Sequence, residues 1–157
     1  MKSGLVLAIF AALGATGGAD LQVGPSAKRT TADGVYVVEQ AKRGQAQYRK
    51  RCVLCHLDKG QGREAEPVIV GQSLEREGDA EAPAVVGDAF LKKWNGHSTR
   101  ELYDKLTSTM PVGGAGSLTP QEYADVLAFL FELNKLPAGP QELPAAPDRL
   151  DLITIGR

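Results

Sequence analysis

The sequence is poor in the residues that build disulfide frameworks or metal clusters. Among 157 residues there are two cysteines, two histidines and two methionines. Two cysteines are too few for a disulfide-stapled scaffold. A net charge of −1 with no basic stripe leaves no case for a nucleic-acid partner. Beyond the first residues no segment is apolar enough to span a bilayer. There is no internal repeat and no strong strand-pairing pattern, so a helical core is expected. What is present suits one domain with extra length at its ends. The 18 glycines and 9 prolines point to a loop-rich fold.

Residues 1–19 read as an export signal. Lys2 supplies the positive start, Leu5 to Leu13 form a short apolar run, and Gly17 and Ala19 are small enough for peptidase recognition before Asp20. Residues 20–36 read as a polar, extended lead-in, 37–137 as the main domain, and 138–157 as a proline-rich tail. In that tail Leu150, Leu152, Ile153 and Ile155 are expected to form a short extended segment packed on the body.

Four helices are expected within 37–137. Val37, Ala41, Gly44, Tyr48 and Cys52 recur at helical spacing over 37–51, with Lys42, Arg43, Arg49, Lys50 and Arg51 on the other face. Gly44 costs stability in a helix interior, which points to close approach of another helix. Residues 88–95 read as a short helix capped by Asp88, with Phe90, Leu91 and Trp94 on one face. Ser98 and Glu101 form a capping box opening 98–109. Thr119, Pro120 and Glu122 open the last helix, along which Tyr123, Val126, Leu127, Leu130 and Phe131 are apolar and Asn134 is not. Between the first two helices, 57–82 is a long acidic loop, with Asp58, Glu64, Glu66, Glu75, Glu77, Asp79 and Glu81 against Lys59, Arg63 and Arg76.

The chemistry concentrates in Cys52-Val53-Leu54-Cys55-His56. Two thiols at this spacing suit a redox pair, a metal site or a haem. As a haem motif, each thiol forms a thioether with a vinyl group, and the following histidine becomes an axial iron ligand. A zinc site needs four ligands, and adjacent Cys55 and His56 are awkward on one tetrahedral ion. A thioredoxin-like pair needs a strand-rich fold, which this chain lacks. Met110 is the one methionine beyond the leader and sits in Thr109-Met110-Pro111 before a glycine-rich loop. It is the candidate for the sixth iron position, where a thioether raises the potential. His97 competes for that position but reads as a turn residue before a helix cap.

On these features the chain resembles a class I monohaem c-type cytochrome over roughly residues 34–137. The resemblance implies an all-α cytochrome c-like fold. About four helices surround one covalently attached haem c, held by Cys52, Cys55, His56 and Met110, with a long loop after the haem motif. It implies a close crossing of the first and last helices through Gly44, Tyr48, Tyr123, Leu127 and Leu130. It also implies a backbone carbonyl receiving the proximal imidazole N–H near Pro83, with Pro67 as the other candidate. Trp94 resembles the tryptophan near a haem propionate, and core packing explains it equally well. Met110 to Gly139 is similar to small cytochromes that accompany PQQ-dependent quinoprotein dehydrogenases. The expected function is periplasmic single-electron transfer without catalysis. The donor would be such a dehydrogenase, and the acceptor a terminal oxidase or another cytochrome. The alternatives are a haem-based ligand-binding or peroxidase-like subunit and a haem-free thiol oxidoreductase.

Overall fold

The structure, a computed structural model, describes residues 28–63, 68–70, 73–75 and 82–157. The expected export signal, Pro67 and most of the acidic stretch lie outside the described residues. Besides a 3-10 turn at Thr31–Asp33, ten elements follow one another among the described residues. They are β1 (Arg29–Thr30), α1 (Val38–Arg51), α2 (Val53–His56), β2 (Val68–Val70), β3 (Ser73–Glu75), α3 (Gly87–Trp94), α4 (Thr99–Thr109), α5 (Pro120–Leu133), α6 (Pro147–Leu150) and β4 (Ile153–Thr154). The fold is all-α in character. Four helices exceed one turn, and α2 and α6 are single turns. The strands are short additions. β2 and β3 pair antiparallel, Val68 opposite Glu75, inside the segment expected to be loop. β1 pairs in parallel with β4, Arg29 opposite Ile153.

Helix α5 is the axis of the fold. Every residue from Tyr123 to Phe131 is buried. A helix apolar on nearly all sides must be covered on all sides. α1 crosses it at Gly44, where a Cβ would run into the carbonyl of Asp125. The absent side chain lets the two backbones meet. One charged residue is buried at this crossing. Asp125 accepts from Arg43 Nε at 2.9 Å and Nη2 at 3.0 Å, and from Gln121 at 2.8 Å. A buried carboxylate is tolerated because its oxygens are paired. Arg43 also reaches Glu142 at 2.8 Å. Arg43 therefore fastens α1 to α5 and the tail, so the basic face of α1 is smaller than the sequence suggests.

Both capping boxes form. Ser98 Oγ accepts from Glu101 N–H at 3.3 Å and Glu101 from Ser98 N–H at 2.8 Å. Thr119 and Glu122 repeat the exchange at 3.2 and 2.8 Å. Asp88 does not cap α3. The helix begins one residue earlier, with Val86 at the cap position and Asp88 in the first turn. The start is set from outside, because the Gly87 N–H donates to Asn134 Oδ1 at 2.9 Å.

The ends of the chain complete the core. Val35 and Tyr36 are buried in one cluster with Phe131, Leu143, Leu150 and Ile155. Leu150, Ile153 and Ile155 are buried and Leu152 is half-exposed, but only Ile153–Thr154 is strand, and Leu150 ends the helical turn α6 instead of joining an extended segment. The tail is held by reciprocal bonds. Gln40 donates to the Leu143 carbonyl at 2.9 Å and accepts its N–H at 2.7 Å. Thr31 does the same with Gly156 at 2.7 and 2.9 Å. No described helix is long and apolar enough to cross a membrane.

Candidate haem-binding cleft

Helix α1 ends at the haem motif. Tyr48 is buried against Phe129, ring centroids 5.2 Å apart in an edge-on arrangement. Its hydroxyl donates to the Leu57 carbonyl at 2.9 Å. That bond holds the chain immediately after His56, where Leu57 adopts φ +62°. A leucine in the left-handed region costs energy that surrounding contacts must offset. The one-turn helix α2 presents His56 inward and leaves Leu54 and Cys55 at the surface.

His56 is buried and fixed through one ring nitrogen. A carbonyl can only accept, so Nδ1–H donates to the Pro83 oxygen at 2.9 Å. Nε2 is then the basic nitrogen. Of the two prolines left open by the sequence, Pro83 makes the contact. The segment around it is clamped from three directions. Arg63 and Ala82 exchange backbone bonds at 2.8 and 3.2 Å, and Val85 N–H donates to Gly60 at 2.7 Å. Gly62 lies so close to Ala82, Pro83 and Ala84 that no side chain fits there. From α5, Asn134 Nδ2 donates to the Val85 carbonyl at 3.0 Å while its Oδ1 accepts from Gly87.

Asn134 was visible in sequence only as the polar exception in an apolar helical stripe. Its role depends on a loop 49 residues away. Asn134→Leu should strand the Val85 carbonyl and the Gly87 N–H. The expected loss is about 2–3 kcal/mol of unfolding free energy, measured by urea titration. An unchanged midpoint would remove Asn134 from the account of how the Pro83 segment is held.

Cys52, Cys55, His56 and Met110 all line one cleft, which also receives Pro83, Phe90, Trp94 and Leu102. Met110 comes from the C-terminal end of α4, its N–H donating to the Leu106 carbonyl at 2.9 Å. Arg51, Lys93 and Lys105 contribute positive charge to the lining. Trp94 lines the cleft and also packs against the main core. His97 is not among the lining residues. It lies at the surface with Nδ1 3.1 Å from Glu101.

The residues fit a large, flat, mostly apolar macrocycle with two thiol attachments at its edge. Cys52 is half-buried and Cys55 exposed. Burial, with the neighbouring Cys55, pushes the Cys52 thiol up to about 11. A nucleophilic thiol pair needs the opposite shift. Among the described residues no group of three or more His, Cys, Asp or Glu side chains could hold a metal ion.

This helical fold, with its cleft at the end of α1, defines a cytochrome c domain. A family model described as cytochrome c oxidase, cbb3-type, subunit III matches residues 39–130, and the chain belongs to that family. Membership brings a covalently bound haem c with its iron and haem-based electron transfer. Neither a curated protein nor a solved structure gave a match. The match ends inside α5, so the tail that closes the core lies beyond it.

Proposed function

We propose that this chain is an exported, periplasmic monohaem cytochrome that relays single electrons between partner proteins. In this reading Cys52 and Cys55 attach the haem and His56 and Met110 ligate its iron. The observation that carries the proposal is the convergence of all four residues on one cleft. When bound, haem c supplies the one-electron chemistry.

Each side chain has a task. The Pro83 carbonyl fixes the His56 tautomer and ring, raising the basicity of Nε2 toward the metal. The Met110 thioether favours reduced iron and a higher potential. Phe90, Leu102 and Leu106 exclude water from the lining. Arg51, Lys93 and Lys105 offer positive charge to the acidic groups of the macrocycle. Held by both His56 and Met110, the iron would have no open site for substrate, which supports a carrier over an enzyme. Leu54, between the two cysteines, and Val112, in the cleft lining, are 76% and 73% exposed and would offer a partner apolar surface.

The export signal at residues 1–19 supports the periplasmic location. The similarity of Met110 to Gly139 to cytochromes of quinoprotein dehydrogenases supports a PQQ-dependent dehydrogenase as donor. A terminal oxidase or another cytochrome is the acceptor, and the matched family is itself described by an oxidase subunit.

The test is a visible spectrum of protein made in a host that attaches haem to exported chains. Sharp reduced bands, a far-red sulfur–iron band when oxidised, and no carbon monoxide binding are expected. Attached haem that readily binds carbon monoxide would overturn methionine ligation.

A further inference from the structure

Tyr123 stands in the first turns of α5, and the family resemblance assigns it to the crossing with α1. Its hydroxyl has a different occupation. It donates to the Met110 carbonyl at 2.9 Å and accepts from the Gly116 N–H at 2.9 Å. One hydroxyl proton and one lone pair thus join the two ends of the Met110–Gly116 loop. The loop needs such a fastening. Val112 at its tip is exposed. Its internal bonds are the local ones from Gly114 to Pro111 at 2.8 Å and from Ser117 to Gly114 at 3.1 Å. The Tyr123 ring is itself immobilised. It is buried and meets Tyr103 edge-on, centroids 6.0 Å apart.

We propose that the Tyr123 hydroxyl is a positioning group for the sixth-position methionine. It clasps the loop shut, keeps the Met110 sulfur at the iron and so governs entry of small external ligands. The inference rests on the reading of Met110 as axial ligand and adds the device that keeps it there. Without the hydroxyl the Met110 carbonyl and the Gly116 N–H turn to water. The open state of the loop then becomes more populated, and an external ligand that competes for the iron enters through that state.

The experiment compares holoprotein carrying Tyr123→Phe, Tyr103→Phe or Met110→Ala with the parent, using cyanide as the external ligand. Tyr123→Phe should bind cyanide roughly tenfold faster when oxidised, as expected for losing two ordinary hydrogen bonds. It should also speed hydrogen exchange at the Gly116 amide. Tyr103→Phe removes a neighbouring hydroxyl that bonds to nothing among the described residues, and it should behave as the parent. Met110→Ala should lose the far-red band and bind cyanide fastest. Parent-like cyanide binding by Tyr123→Phe, beside a fast Met110→Ala, would overturn the clasp and leave methionine ligation standing. A far-red band retained in Met110→Ala would overturn the ligation itself. If Tyr123→Phe yields no holoprotein, the Gly116 amide of the parent decides. Strong protection from exchange is expected, and exchange at the rate of a free peptide would overturn the clasp.

Discussion

Replacing Cys52 and Cys55 together with alanine should abolish covalent haem attachment. Protein expressed with the attachment machinery should then lose all haem on denaturation, where the parent keeps it. The expectation follows from the cleft. Both thiols line it, one half-buried and one exposed, on the turn that also carries His56. Only His56 and Met110 would then hold the iron, and coordinate bonds to two side chains do not survive unfolding. The two single variants should differ. Cys55 is exposed, so its loss costs one thioether and little packing. Cys52 also packs against the cluster of Tyr48, Val126 and Leu130, so its loss opens a gap there. Haem staining after denaturing electrophoresis reads all three. Haem retained by the double variant would mean that attachment, if any, runs through some other residue.

Gly44→Ala should destabilise the protein by about 2–3 kcal/mol, and Gly44→Val by more. An alanine in an exposed helix interior would instead gain about 1 kcal/mol over glycine, so the sign separates the two situations. The added carbon meets the Asp125 carbonyl and, at 3.0 Å, the Cβ of Phe129. Both belong to the backbone or first carbon of a fully packed helix, so neither can rotate away. α1 must lift off α5. The Arg43–Asp125 pair stretches with it, leaving a buried carboxylate less well paired. The same displacement carries Tyr48 and Cys52 away from the cleft, so the extent of haem attachment should fall along with stability. Denaturant midpoints and haem content together test this. A Gly44→Ala protein as stable as the parent would mean that the two helices do not meet there.

The haem motif, the single available methionine, the two capping boxes and the four longer helices could all be read from the sequence. These features are local. A capping box needs residues three apart, a helix needs a repeating apolar stripe, and a haem motif is five consecutive residues. Gly44 was legible for a related reason, because a glycine inside a good helix pattern needs a cause.

Longer-range pairings decided the rest. Nothing along the chain separates Pro83 from Pro67 as partner of His56. The choice is made by Gly60, Gly62 and Asn134, which bring the Pro83 carbonyl to the imidazole from opposite ends of the chain. Arg43 reads as a solvated basic residue until α5 places Asp125 beneath it. Tyr123 reads as packing until the Met110 loop folds back onto its hydroxyl. The tail reads as a short segment packed on the body, yet Leu143, Leu150 and Ile155 belong to the main core itself. The sequence alone singled out the groups proposed for the chemistry, because covalent and coordinate bonds require particular residue types. Tertiary structure decided how those groups are held, because a hydrogen bond between distant residues depends on where the folded backbone sets them and leaves no periodicity to read.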